Sequence, residues 1–265
     1  NMEYDIRKLQ QAILIIMDEI HRICQEHNIT YSICGGTLLG AVRHEGFIPW
    51  DDDLDIMMIR SEYERFISIC KKELSTEKFY LQTQDTDEYY AFAFAKIQLK
   101  GTLFLEEWAL NVDIPKGIFV DIFPLDNLPV RKKLFLKVNH VLKNMLWVKC
   151  GYGTREHQKR ISYWIIQLIS FPISIKRIKN IRFKLITTYN KGITGQYFSS
   201  DYPNVIYYTE WFLQMKLYNF EKRNYFGICK AQEYLTDQYG NYRESPPIEE
   251  RRSHSVCDID FGEYR

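Results

Sequence analysis

Between residues 5 and 27 the apolar positions recur every three or four residues, at Ile6, Leu9, Ile13, Ile16, Met17, Ile20 and Ile23-Cys24. That period lays them along one side of a helix, and Asn28 supplies a stop. The pattern then changes. Tyr31–Cys34 is a short strand-like run ending in Gly35-Gly36, and Thr37–Arg43 reads as a short helix entered from that turn. Leu54–Ile59, Tyr80–Thr83, Phe92–Leu99 and Ile118–Phe123 read as strands, the last closed by Pro124. Ser61 and Glu64 have capping-box spacing for a helix over residues 62–74. Strands and helices alternate up to residue 130, so the expected class is α/β, in its α+β form. After Pro129 the pattern is mainly helical, with Arg131–Lys149, Arg155–Ile169 and Ile175–Asn190 as helices. Tyr202–Tyr208 reads as a strand, and residues 231–239 as a short helix stopped by Gly240. The division this predicts is a catalytic core over 1–130 and a basic helical subdomain with a C-terminal segment over 131–265, packed on the core. The tail past Pro246-Pro247 has no legible pattern.

Composition narrows the class. Hydrophobic residues make up 46% of the 265, enough for a core and too many for a disordered chain. Six cysteines are spread without a C-x-x-C pair, which suits a reduced, cytoplasmic protein. No secretory signal is legible, and the longest uncharged stretch, Ile161–Ile175, is shorter than the roughly 20 residues of a membrane span. The net charge of +1 conceals an asymmetry: residues 1–130 hold 22 acidic and 12 basic residues, whereas 131–184 hold 14 basic residues and only Glu156. That basic stretch also carries Leu134, Phe135, Leu142, Trp147, Trp164, Ile165, Leu168 and Phe171. Two readings stay open: peripheral contact with the inner face of the cytoplasmic membrane, or an apolar stripe packed on the core with solvated lysines. No nucleic-acid-binding module is visible.

The chemistry concentrates in GGTLLGAVRHEGFIPWDDDLDIMM, residues 35–58. On an extended strand, residues i and i+2 point the same way, so Asp53 and Asp55 would present two carboxylates to one point. Inside an apolar run such a pair is costly unless it binds a cation, and hard oxygen ligands suit Mg²⁺. Asp51 and Asp52 cap the approach or add negative potential. Gly35-Gly36-Thr37, between a strand and a helix start, allows close backbone approach to a phosphate. Asp121, inside the apolar GIFVDIF run, is the expected third carboxylate, as ligand or base. In each case the plainer alternative is an acidic solvated turn, an ordinary tight turn or a paired structural Asp.

These residues resemble the LicD family. The similarity is carried by GGTLLGAVRHEGFIPWDDDLDI, SEYERF (61–66), AKIQLKGT (95–102) and GIFVDIFPLDNLP (117–129), and more weakly by YLTDQYGNYRESPPIEER (234–251). The resemblance implies a nucleotidyltransferase-like catalytic core and transfer of a phospho-alcohol. The group expected first is phosphocholine, moved from CDP-choline to a hydroxyl of a bacterial surface glycan such as a teichoic acid, lipopolysaccharide or capsule precursor. Fukutin-like relatives transfer ribitol phosphate. It further implies Mg²⁺ or Mn²⁺ on Asp53, Asp55 and Asp121, and donor phosphates near Gly35, Gly36, Thr37, Arg43, His44 and Lys96. The implied partners are a CDP-linked alcohol and a lipid-linked glycan. Asn241 departs from the pattern, where an acidic residue is usual after Tyr-Gly. For a quaternary ammonium group Trp50, Tyr89, Tyr90 and Trp108 are unassigned aromatic candidates. Arg251, Arg252 and His254 lie in a tail expected to be solvated, and Asp258-Ile259-Asp260 lacks a glycine partner. Competing readings are nucleotidyl transfer to a small molecule, and a non-catalytic glycan- or partner-binding protein on a transferase fold.

Overall fold

A computed structural model describes residues 4–251 and 253–264; Arg252 lies outside the described residues. The first helix, α1 (Ile6–Glu26), is capped by Asp5, whose carboxylate accepts from Lys8 N, and it buries Leu9, Ile13, Ile16, Met17, Ile20 and Ile23. A sheet follows, in the order β1 (Ser32–Ile33), β2 (Asp55–Ile59), β6 (Phe119–Asn127), β4 (Ala95–Leu99), β3 (Phe79–Gln82). Only β2 and β6 run parallel among these neighbours. Every residue of β6 and β4 is buried, so both are covered on both faces, and α1 packs against them. The α/β class is therefore observed.

Several boundaries differ from the pattern reading, each for a physical reason. Strand β6 runs through Pro124 instead of ending there. Its ladder to β4 stops at Ile122, so the missing N–H of Pro124 falls beyond that ladder, while pairing with β2 continues to Leu125. The capping box does not form: α3 (Arg60–Glu73) begins before Ser61, with Ile59 at its N-cap and no side-chain cap. Arg60 in this first turn reaches Asp126 at the end of β6 with two hydrogen bonds, 2.8 and 2.6 Å. The expected helix over 155–169 is broken into α5 (Arg155–Gln158) and α6 (Ile161–Ser170).

The C-terminal half is tied into the sheet. Strands β7 (Gln196–Phe198) and β8 (Ile206–Tyr208) extend it beyond the end of β6. The apolar core continues from the sheet into α4 (Lys132–Cys150) through Met145 and Leu146, and into α7 (Ile175–Thr187) through Ile175 and Ile178. Besides β7, four strands had no counterpart in the pattern. Two, β9 (Met215–Phe220) and β10 (Arg223–Ile228), form a hairpin whose turn residues Glu221 and Lys222 both have positive φ. The other two are β5 (Leu103–Glu106) and β11 (Val256–Asp260), which pair antiparallel, so the tail folds back onto the core.

Candidate functional site

Sheet register aligns three candidate side chains in one row. Asp55 on β2 is the parallel partner of Asp121 on β6, and Asp121 is the antiparallel partner of Lys96 on β4. Residues directly opposite on neighbouring strands point to the same face, so a carboxylate, a second carboxylate and an ammonium group stand side by side. Lys96 Nζ lies 2.9 Å from Asp121 Oδ1 and 3.1 Å from the centre of the Phe119 ring. Asp55 Oδ1 is sealed from water and has no hydrogen-bond partner among the described residues. A buried carboxylate oxygen without a donor is costly, and a cation is the ligand that would satisfy it.

The acidic loop that precedes β2 comes to the same place. Asp51, Asp52 and Asp53 each offer an oxygen within 4.8 Å of the other two. Asp52 is buried and fully engaged: it accepts from Tyr4 Oη (2.8 Å) and from the backbone N–H of His254 (3.0 Å), with the His254 Nδ1 at 2.8 Å. The other ring nitrogen, His254 Nε2, is 3.8 Å from Asp53 and 3.7 Å from Glu106. His254 precedes β11, whose pairing with β5 brings the tail across the acidic loop.

The glycine turn closes a third side. Helix α2 (Gly35–His44) starts at Gly35 itself, which has φ +54 and donates its N–H to Tyr234 Oη at 3.0 Å. A Cβ on Gly36 would stand 2.7 Å from Asp51 Oδ2, so the missing side chain is what admits that carboxylate to the helix N-terminus. Thr37 Oγ1 accepts from Asp55 N at 2.9 Å and fixes the start of β2 against the helix.

Electrostatics follow from this crowding. Burial, then the charges of Asp53, Asp121 and Asp51, holds Asp55 well above the usual carboxylate range. Burial and Asp53 push Asp51 up to about 9; burial, opposed by Lys96, leaves Asp121 at about 6. Asp53 is raised by burial, partly offset by His254. Asp52 is the exception: burial would raise it, but the hydrogen bond and charge of His254 and the Tyr4 hydroxyl bring it below its ordinary value. His254 itself, disfavoured by burial but hydrogen-bonded to Asp52, is raised to about 10.

These shifts have a sign. The raised carboxylates bind protons in the folded state at pH values where the unfolded chain has released them. The stability they contribute is fully present below about pH 4 and is lost as pH rises toward about 9; His254 acts in the same direction. A divalent cation bound at this cluster would take the place of those protons. With chelator present, Tm is therefore expected to fall between about pH 6 and about pH 8.5, and Mg²⁺ to raise Tm more at the upper end. Thermal melts at both pH values, with and without the cation, measure this. A cation effect that is absent, or equal at both, would remove the acidic cluster as its binding site.

The structure brings together Gly35, Gly36, Thr37, Asp53, Asp55, Lys96 and Asp121. Asp53 precedes β2 instead of lying within it, so the strand alternation assumed for the pair does not itself place Asp53 beside Asp55. Arg43 and His44 form the last turn of α2, eight and nine residues after Gly35, about 12 Å along the axis. Arg43 donates there to the carbonyls of Tyr242 (2.9 Å) and Glu244 (3.2 Å) and to His44 Nε2 (2.9 Å). The tail is not simply solvated: Arg251 stacks over the Trp50 ring at 4.2 Å, and His254 meets Asp52. Tyr4, Glu106, Tyr234 and the engagement of His254 were missed by sequence reasoning, since each reaches the site through a contact distant along the chain.

Residues 28–127 match the model of the LicD/FKTN/FKRP nucleotidyltransferase domain. Over 95% of the chain, and 96% of its counterpart, the sequence is 29% identical to the lipopolysaccharide cholinephosphotransferase LicD of Haemophilus influenzae. Shorter similarities, 41% identity over 22% of the chain and 48% over 20%, link it to uncharacterized proteins of Rickettsia prowazekii and Rickettsia typhi. These cover 29% and 18% of the rickettsial proteins. The glycine turn, the acidic loop and the Asp55–Asp121 row all fall inside the matched 28–127 segment, so it is the site-bearing part of the chain that resembles the LicD/FKTN/FKRP nucleotidyltransferase domain.

Proposed function

We propose that the protein is a transferase of phosphorus-containing groups, moving phosphocholine from CDP-choline to a hydroxyl of a lipopolysaccharide-type surface glycan. The observation that carries this reading is the row Asp55–Asp121–Lys96 beside the acidic loop and the glycine turn. The near full-length similarity to a lipopolysaccharide cholinephosphotransferase supports phosphocholine as the group and a lipid-borne glycan as acceptor.

The residues fit a divalent cation: Asp53 stands in the close group Asp51–Asp53, Asp55 Oδ1 is buried with no hydrogen-bond partner among the described residues, and Asp121 is its partner in register, all hard oxygen ligands. Mg²⁺, or Mn²⁺, bound there would neutralise charge on the donor pyrophosphate and its leaving group. Around it the chain supplies positioning and proton transfer. The first-turn N–H groups of α2 at Gly36 and Thr37 would donate to donor phosphate oxygens. Lys96 neutralises Asp121 in the absence of substrate and can turn toward the phosphoryl group when donor binds. Asp121, at about 6, is ionised at neutral pH and basic enough to take the proton of the acceptor hydroxyl. The hydroxyl oxygen forms the new bond to phosphorus, the bond to CMP breaks, and the proton passes to the carboxylate.

A screen of CDP-choline, CDP-ethanolamine, CDP-ribitol, CDP-glycerol and CTP for cation-dependent release of CMP or pyrophosphate tests the reading. CMP from CDP-choline, increased by a glycan acceptor, is the expected result. Pyrophosphate from CTP alone would make the enzyme a nucleotidyltransferase, and no turnover together with no cation binding would make it a binding protein.

A further inference from the structure

Helix α6 has its apolar side outward. Its inner positions, Tyr163, Ile166 and Ser170, face α4 and the core, and Lys149 Nζ from α4 closes its C-terminus on Ser170 O at 3.0 Å. The opposite side, with the turn that follows, exposes Ile161, Trp164, Ile165, Leu168, Ile169 and Phe171; Leu168 is 76%, Trp164 61% and Phe171 79% accessible. The spacing i, i+3, i+4, i+7, i+8 makes one continuous stripe, and ISYWIIQLIS contains no charged residue to interrupt it. In a water-soluble helix this stripe is the side that turns inward. Here the core already has its own contacts from α6, and the stripe is left over.

The surroundings identify the occupant. Exposed Arg155, Lys159 and Arg160 lie just before α6, and exposed Lys176 and Arg177 just after it. Glu156 is the lone acid in a 131–184 segment with 14 Lys and Arg. An apolar ridge with a cationic rim matches a bilayer surface: side chains enter the headgroup–acyl boundary, Trp sits at that level, and the rim meets anionic headgroups. A protein partner with an apolar groove would meet the ridge as well, but would leave the one-signed rim unexplained. No described helix is long and apolar enough to cross a membrane. We infer that α6 is a monotopic docking element that seats the protein on an anionic lipid surface. The inference uses only this surface and holds whichever group the active site transfers.

Co-sedimentation of the full chain with phosphatidylcholine vesicles of graded phosphatidylglycerol content tests it. Binding should rise with anionic lipid and weaken with added salt. The double variant Trp164→Ser, Leu168→Ser changes two exposed side chains, so folding and the nucleotide-release activity should persist while the lipid needed for half-binding rises about tenfold or more. Size-exclusion chromatography of both proteins runs in parallel. No vesicle binding at low salt would overturn the proposal, as would binding that the double variant leaves intact. A concentration-dependent dimer that the double variant abolishes, without vesicle binding, would also overturn it and reassign the ridge to self-association.

Discussion

Asp55→Asn should reduce turnover by about a thousandfold or more while raising Tm in the presence of chelator. Both effects come from one carboxylate. Asp55 stands opposite Asp121 in register and close to Asp53 and Asp51, and burial with these charges holds it far above its ordinary protonation range. An amide of the same shape removes one negative charge from that crowd and offers an N–H₂ to its neighbours, so the cation-free fold loses repulsion. The backbone N–H of residue 55 still reaches Thr37 Oγ1, and the register of β2 is unaffected. The amide, however, is a poor ligand for a hard cation. CMP release measured with CDP-choline and Mg²⁺ gives the first effect, and thermal melts in EDTA the second. Near-wild-type turnover would exclude Asp55 from the reaction. A fall in Tm with chelator present would mean that the carboxylate is a structural partner and not a strained ligand.

How much of this was legible depends on the distance over which each feature is encoded. Asp55 and Asp121 could be singled out locally, because a charged residue inside an apolar strand is conspicuous. That their strands are neighbours, parallel and in register is a non-local fact no window of sequence contains. The placement of Arg43 was calculable: eight helical residues after Gly35 carry it about 12 Å away, to the far end of α2. The hairpin β9–β10 was hidden because its turn, Glu221-Lys222, lacks the Asn-Gly or Asp-Gly signature. Tertiary contacts hold it instead: Glu221 N donates to Glu45 O at 2.8 Å, and its carboxylate accepts from Phe47 N at 3.3 Å and pairs with Arg7. His254 carries no local mark; its meeting with Asp52, 202 positions away, depends on β11 finding β5. The exposed stripe of α6 has the same period as a buried one, and periodicity alone cannot say which side of a helix meets the core.

The connection between the helical half and the central sheet leads to the largest expected change in stability. Arg182 on α7 is 2% accessible and ties four segments together. Its guanidinium donates to Asn139 Oδ1 on α4 (3.1 Å), to the carbonyl of Ser200 (3.1 Å) and to Asp201 Oδ1 (2.9 Å). Asp201 Oδ2 in turn accepts from the N–H of Ala93 at 2.8 Å, two residues before β4 and the strand that carries Lys96. Arg182→Leu keeps the apolar stem but leaves the buried Asp201 carboxylate without its ion-pair partner, with only the more distant Lys143 charge nearby, and removes the donor to Asn139. Losing one partner of such a pair costs about 3–5 kcal/mol, a large share of the roughly 5–15 kcal/mol that holds a domain folded. Urea denaturation should show the unfolding free energy falling by that amount, through a lower midpoint at an unchanged slope. The double variant Arg182→Leu, Asp201→Leu removes both charges and should recover part of the loss, since an apolar pair of similar volume often replaces a buried ion pair without penalty. A single-variant loss below about 1 kcal/mol would mean that water reaches Asp201 and that Arg182 is dispensable. A double variant less stable than the single would place the contribution in the Asp201–Ala93 hydrogen bond that fixes the entry to β4, not in the ion pair.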